Sequence, residues 1–200
     1  MSEKKAVNGK DVTVIPPPSE RFRDNMVALT RHIAKTVKRV SSLGYQIVKS
    51  DLVSIVAEYL NLMDGKVLIG TFITKSHSDW DKIFKAEEKH FMDNADKIFA
   101  GLPVDNINAF KSLFILKDSN GKQVVTEEEK QVIIKGFKSF VKISIHYIHE
   151  EKQPYIQVMK KADGTTVSSL KYKEDKLFPG IDVASEALKW GLALKIPQST

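Results

Sequence analysis

Residues 117–150 read KDSNGKQVVTEEEKQVIIKGFKSFVKISIHYIHE. If the first thirteen of them form a ligand loop, the rest is the second helix of a metal-binding pair; if they form a turn and a cap, the rest is an independent core helix. Asp118, Ser119, Asn120 and Gly121 are turn formers, since the Asx side chains bond their own backbone and glycine accepts positive φ. Thr126 and Glu129 stand at capping-box spacing ahead of an apolar run, which predicts a helix from about Glu127 to His149. Lys135, Lys138 and Lys142 mark its one polar side. His146 and His149 flank that side near the helix end, and read as exposed histidines favoured by the C-terminal dipole.

From "NAFKSLF" into this helix the chain also resembles the EF-hand family, on the pattern helix, Asp-rich loop, helix. The resemblance implies Asp118 as first ligand, Asn120 third, Thr126 ninth and Glu129 twelfth, with the eighth position falling on Val125. It fails at the fifth and sixth positions, Lys122 and Gln123, where calcium needs an oxygen ligand and a glycine. Moving the frame to put Gly121 sixth makes Leu116 the first ligand. The turn-and-cap reading stands, and neither metal nor cofactor is expected.

Outward from this helix the chain reads as mainly α with a small β element (α+β), about five to six helices in one compact domain. Ser19 can cap a first helix whose apolar residues Phe22, Met26, Leu29, Ile33, Val37 and Val40 form one stripe, with Gly44 ending it. A second helix runs from about Ser50 to Met63 with apolar residues on more than one face, which predicts burial. Asp64-Gly65 reads as a turn into a short strand near 66–75, because Val67, Ile69 and Phe72 lie in a β-branched setting. A third helix is predicted from Ser78 to about Ala100 on the stripe of Trp80, Phe84, Phe91, Ala95 and Ile98, and a fourth from Pro103 to Leu113. Two strands around Asp163-Gly164 predict a hairpin near 155–173, and Asp182 caps a last helix. Residues 1–18, with Pro16 to Pro18, read as a flexible arm ahead of a single mostly helical domain over 19–200.

Composition narrows the function. The chain has 200 residues, 42% of them hydrophobic, and no cysteine, so thiol nucleophiles and cysteine zinc sites are excluded. The start of the chain lacks the apolar core of a signal peptide, so an intracellular location (cytoplasm or nucleus), or a virion if the protein is viral, is expected rather than secretion. No stretch is long and apolar enough to predict a membrane span.

A formal charge of +6 favours an anionic partner, either nucleic acid or an acidic protein surface. All four arginines, Arg21, Arg23, Arg31 and Arg39, fall in the first helix. With Lys35 and Lys38 they form the candidate anion or nucleic-acid binding set, since guanidinium offers bidentate contacts to phosphate or carboxylate. Arg31, Lys35, Lys38 and Arg39 share a face opposite the apolar stripe. Glu87 and His90 have the spacing of a carboxylate-histidine metal pair, but the second pair that such bundles need is missing. The expected protein is therefore a non-enzymatic structural or assembly protein with protein–protein contacts or self-assembly. A direct nucleic-acid-binding module is the alternative, and an enzyme using Glu87 and His90 a more distant one.

Overall fold

A computed structural model of the chain describes residues 4–7, 10–13, 15–45, 50–94 and 104–195. The fold is mainly helical with small antiparallel pairs of strands, as the composition of apolar stripes predicts. Within the first eighteen residues, Lys4–Val7 (β1) pairs with Lys10–Thr13 (β2), Lys4 opposite Thr13; the sequence reading contains no such ribbon. Helix α1 spans Pro18–Ser42. It opens on Pro18 rather than on a serine cap, because proline's fixed φ suits the first helical position. Ser19 is instead buried inside the first turn.

Helix α2, Ser50–Leu62, follows. The segment predicted as a strand near 66–75 is helix α3, Gly65–Ser76, and the physical reason is visible at both scales. Asp64 does not lead a turn into a strand but is the N-cap, its carboxylate accepting from Lys66 N at 2.7 Å. Leu68, Ile69, Phe72, Ile73 and Ser76 are buried, a helical rather than an alternating period, so burial against α1 overrides the β-branched preference. Gly65 permits the approach: a Cβ there would lie 2.3 Å from the Ser19 carbonyl oxygen.

The predicted third helix is two short ones, α4 at Trp80–Lys85 and α5 at Glu88–Asp93. Ala86 breaks them apart at φ 57°, with Glu87 N donating to Lys82 O at 3.2 Å in a Schellman-type stop that normally uses glycine. The continuation to Ala100 and the predicted start at Pro103 lie outside the described residues. Helix α6 is Val104–Ile115 and helix α7 is Glu127–Glu151. The hairpin forms as predicted, Pro154–Lys160 (β3) against Thr166–Tyr172 (β4), and so does the cap of helix α8, Val183–Lys189, with Asp182 accepting from Ala184 N and Ser185 N.

The core is built where α1, α3 and α7 meet. Phe22 lies 5.3 Å from Phe72 and 5.0 Å from Phe140, ring centre to ring centre, a three-helix aromatic contact that adds to the burial energy of each ring. Helices α1 and α7 run antiparallel, Asn25 donating to Ser139 Oγ at 2.9 Å and Gly136 admitting the Leu29 side chain.

The opening stretch is a turn and a cap. Asp118 Oδ1 accepts from Asn120 N and Lys122 N, and Gly121 sits at φ 77°. Thr126 and Glu129 make both halves of the capping box.

Candidate functional site

The six basic residues predicted as one set are divided by the structure according to their angular position on α1, at about 100° per residue. Arg39 points along the flank that meets α7. Its Nε and Nη2 donate to Glu129 at 2.8 and 2.6 Å, and Nη2 also donates to Val124 O at 3.0 Å. The same carboxylate accepts from Thr126 N at 2.9 Å. Burial pushes the Glu129 carboxyl up, but the bonds from Arg39 and Thr126 outweigh it and hold it below its ordinary range. Arg39 is thus a structural clamp on the α7 cap. Arg23 contacts neighbouring Asp24 at 3.3 Å.

Arg31, Lys35 and Lys38 remain on the outward arc, all exposed. Arg31 reaches Glu58 of α2 at 2.8 Å, while among the described residues Lys35 and Lys38 make no ion pair. Arg21 is apart from this arc. It lies on the α7 flank, half-buried, with Nε out of solvent and without a hydrogen bond.

Helix α2 holds what the sequence reading missed. Val53, Ala57 and Leu60 are buried against α1 and the core, yet Leu52, Ile55, Tyr59 and Leu62 are exposed by 46, 63, 62 and 85%. The expected burial of the whole helix is therefore half right. The exposed four follow at steps of three, four and three, the seam spacing of a helix that pairs with another helix. The signal lay in the sequence, although apolar residues alone do not say which of two apolar faces finds the core. Glu58 borders this seam, so its bridge to Arg31 joins the apolar seam to the basic arc.

Glu87 and His90 are not brought together. Glu87 pairs with Lys82 at 3.2 Å, partly exposed. His90 instead faces Asp79, Nε2 to Oδ1 at 3.2 Å, without the alignment of a hydrogen bond, so that Nε2 and Asp79 Oδ2 remain unsatisfied. Its Nδ1 meets Asn94 Nδ2 at 3.2 Å. Neighbouring Glu88 takes the buried Lys130 ammonium at 2.9 Å. Among the described residues no three of His, Asp and Glu converge as metal ligands.

His149 corrects the expectation of an exposed histidine, being buried between α7, β4 and the segment after α8. Its Nδ1 contacts Tyr172 Oη at 3.1 Å and its Nε2 contacts Lys195 O at 2.9 Å. A carbonyl only accepts, so Nε2 carries hydrogen. His32 borders a shallow cleft of about 200 Å³ between α1 and α7, floored by Leu29 and Gly136. No helix among the described residues is long and apolar enough to cross a membrane. No family model matches the chain, and no curated protein or solved structure is similar to it.

Proposed function

We propose that the chain is a non-enzymatic assembly protein that pairs with a second copy of itself through α2 and offers the basic arc of α1 to an anionic partner, within the cell or a virion. The observation that carries this reading is the exposed seam. Leu52, Ile55, Tyr59 and Leu62 are symmetric in position about residue 57, so two antiparallel α2 helices related by a twofold axis bring Leu52 against Leu62 of the second copy and Ile55 against its Tyr59. A self-complementary patch is what an isologous dimer requires. A twofold axis across antiparallel helices leaves the same flank of each on the same side. The Arg31, Lys35 and Lys38 arcs of both copies then form one basic surface, double the charge of either.

Seam area sets the strength. Four partly exposed side chains supply roughly a few hundred Å² per copy, below the roughly 800 Å² per partner of a standard interface, so the pairing belongs to the weak, concentration-dependent class. Sedimentation equilibrium from micromolar to several hundred micromolar protein tests it. A monomer–dimer equilibrium is expected for the wild type, with Ile55→Glu monomeric throughout and folded, since position 55 faces solvent in the single chain. A wild type that stays monomeric at the top of the range, or an Ile55→Glu variant that dimerises as well, overturns the reading.

A further inference from the structure

At one end of the α1–α7 interface the Arg39 guanidinium meets a carboxylate; at the other end Arg21, on the same flank of α1, meets none among the described residues. Its Nε is buried and without a hydrogen bond. Asn25 bonded to Ser139 fixes the register. From that bond Arg21 lies four residues back along α1, about 6 Å, and His146 seven residues on along α7, about 10.5 Å, in the same direction because the helices are antiparallel. Side chains lean toward the N-terminus of their own helix, so those of Arg21 and His146 lean toward one another across the remaining gap. One turn from His146, His149 holds the backbone carbonyl of Lys195 and thereby brings a third basic residue alongside.

Among the described residues, the carboxylates nearby are engaged or turned outward. Asp24 is on Arg23 and Glu151 on Lys66. Glu20 lies on another side of α1, and Glu150 is exposed and makes no ion pair with Arg21. A partly desolvated guanidinium without a counter-charge is costly unless something supplies one.

We infer that Arg21, His146 and Lys195 form a binding site for a small oxyanion of the phosphate class, with the Arg21 fork as its principal donor. The site is separate from the α1–α2 face and does not depend on how that face is used. The electrostatics agree: burial first, then Arg21, His149 and Lys195, hold the His146 imidazole below its usual pKa, so every charged group acting on this ring is basic. A bound oxyanion reverses that field, and its second partner becomes a protonated His146. The half-open position admits a free ion or a small monoester alike, since both present the same oxygens.

The test is the imidazole titration of His146 by NMR, with inorganic phosphate, methyl phosphate or chloride at equal ionic strength. Inorganic phosphate is expected to raise the His146 midpoint saturably, and chloride to leave it in place. Arg21→Met is expected to weaken phosphate about tenfold or more, the weight of a lost charge-assisted hydrogen bond. A response to methyl phosphate alone assigns the site to monoesters. A midpoint that neither phosphate compound moves, or that moves equally in the Arg21→Met protein, overturns the inference. If Arg21→Met fails to fold, Lys195→Gln serves in its place, because that side chain is exposed, and an unaltered phosphate response there counts against the three-residue site.

Discussion

Gly65→Ala and Gly70→Ala make the same change in the same helix, and the structure gives them opposite signs. Around a Cβ built on Gly70 nothing lies within 4 Å, so alanine there brings only the intrinsic gain of a helix interior, about 0.8–1 kcal/mol. At this chain length that raises the melting temperature by about 2–4 °C. A Cβ on Gly65 lies 2.3 Å from the Ser19 carbonyl oxygen and 2.8 Å from its carbon. Both are backbone atoms, which cannot rotate away. The first turns of α1 and α3 must part by roughly an ångström, drawing Phe22 away from Phe72, and overpacking of this kind costs about 1–3 kcal/mol, enough to reverse the propensity gain. Set against that gain, a net loss of about 1 kcal/mol corresponds to a fall of about 2–4 °C. Thermal melts followed by circular dichroism, with urea midpoints to confirm unchanged slopes, measure both variants. If Gly65→Ala is neutral or stabilising, α1 and α3 do not meet as described; if Gly70→Ala destabilises, residues 65–76 are not a helix with that face open.

The Arg39–Glu129 clamp predicts the acid limb of stability. Because the folded Glu129 carboxyl lies below its ordinary value of 4.5, its contribution is full above the unfolded pKa and disappears as pH falls through the folded one. Glu129→Gln is expected to cost about 1 kcal/mol at neutral pH, discounted for the partial exposure of Arg39, and to flatten the pH dependence below pH 5; an unchanged acid limb refutes the clamp. Thr126→Ala is expected to lower stability by about 1 kcal/mol through the lost cap, and an unmoved denaturation midpoint counts against it. Changing Arg31, Lys35 and Lys38 together to Glu is expected to leave the fold nearly intact. With nucleic acid as probe it is expected to flatten the salt dependence of binding, whereas Lys135, Lys138 and Lys142 changed likewise are not. Equal binding by all three proteins removes the basic arc as a contact.

Helix α7 and the hairpin were legible because their signals are local: Thr126 and Glu129 three apart, Asp163-Gly164 between two short runs, Asp182 at a cap. Helix α3 was not, since Val67, Ile69, Ile73 and the Asp64-Gly65 pair satisfy a strand and its turn as well as a capped helix, and only α1 decides between them. The stop at Ala86 uses a residue that gives no warning of positive φ. For the site the limit lay elsewhere. Arginine's clustering was visible, but Arg31 and Arg39 are claimed by carboxylates 27 and 90 positions away, distances over which a sequence shows no pairing. Which arginine is left without a carboxylate among the described residues depends on those long-range partners.

The antiparallel contact of α1 with α7 also governs when the chain can fold as it is made. Asn25 and Ser139 are 114 positions apart, and Phe22 waits still further for Phe140. While the ribosome is translating the intervening helices, α1 has only α2 and α3 to cover it, and its α7-facing side stays open to chaperones or to other nascent chains. The α1–α7 contact is completed late, when the segment through Ile148 emerges, and the core closes only after Ile181, Val183, Ala187 and Trp190 have followed. A messenger truncated before that point therefore yields a product with an open core and an appetite for α7 supplied from elsewhere, which makes the residues 117–126 connection a natural place to divide the protein into two fragments that reassemble.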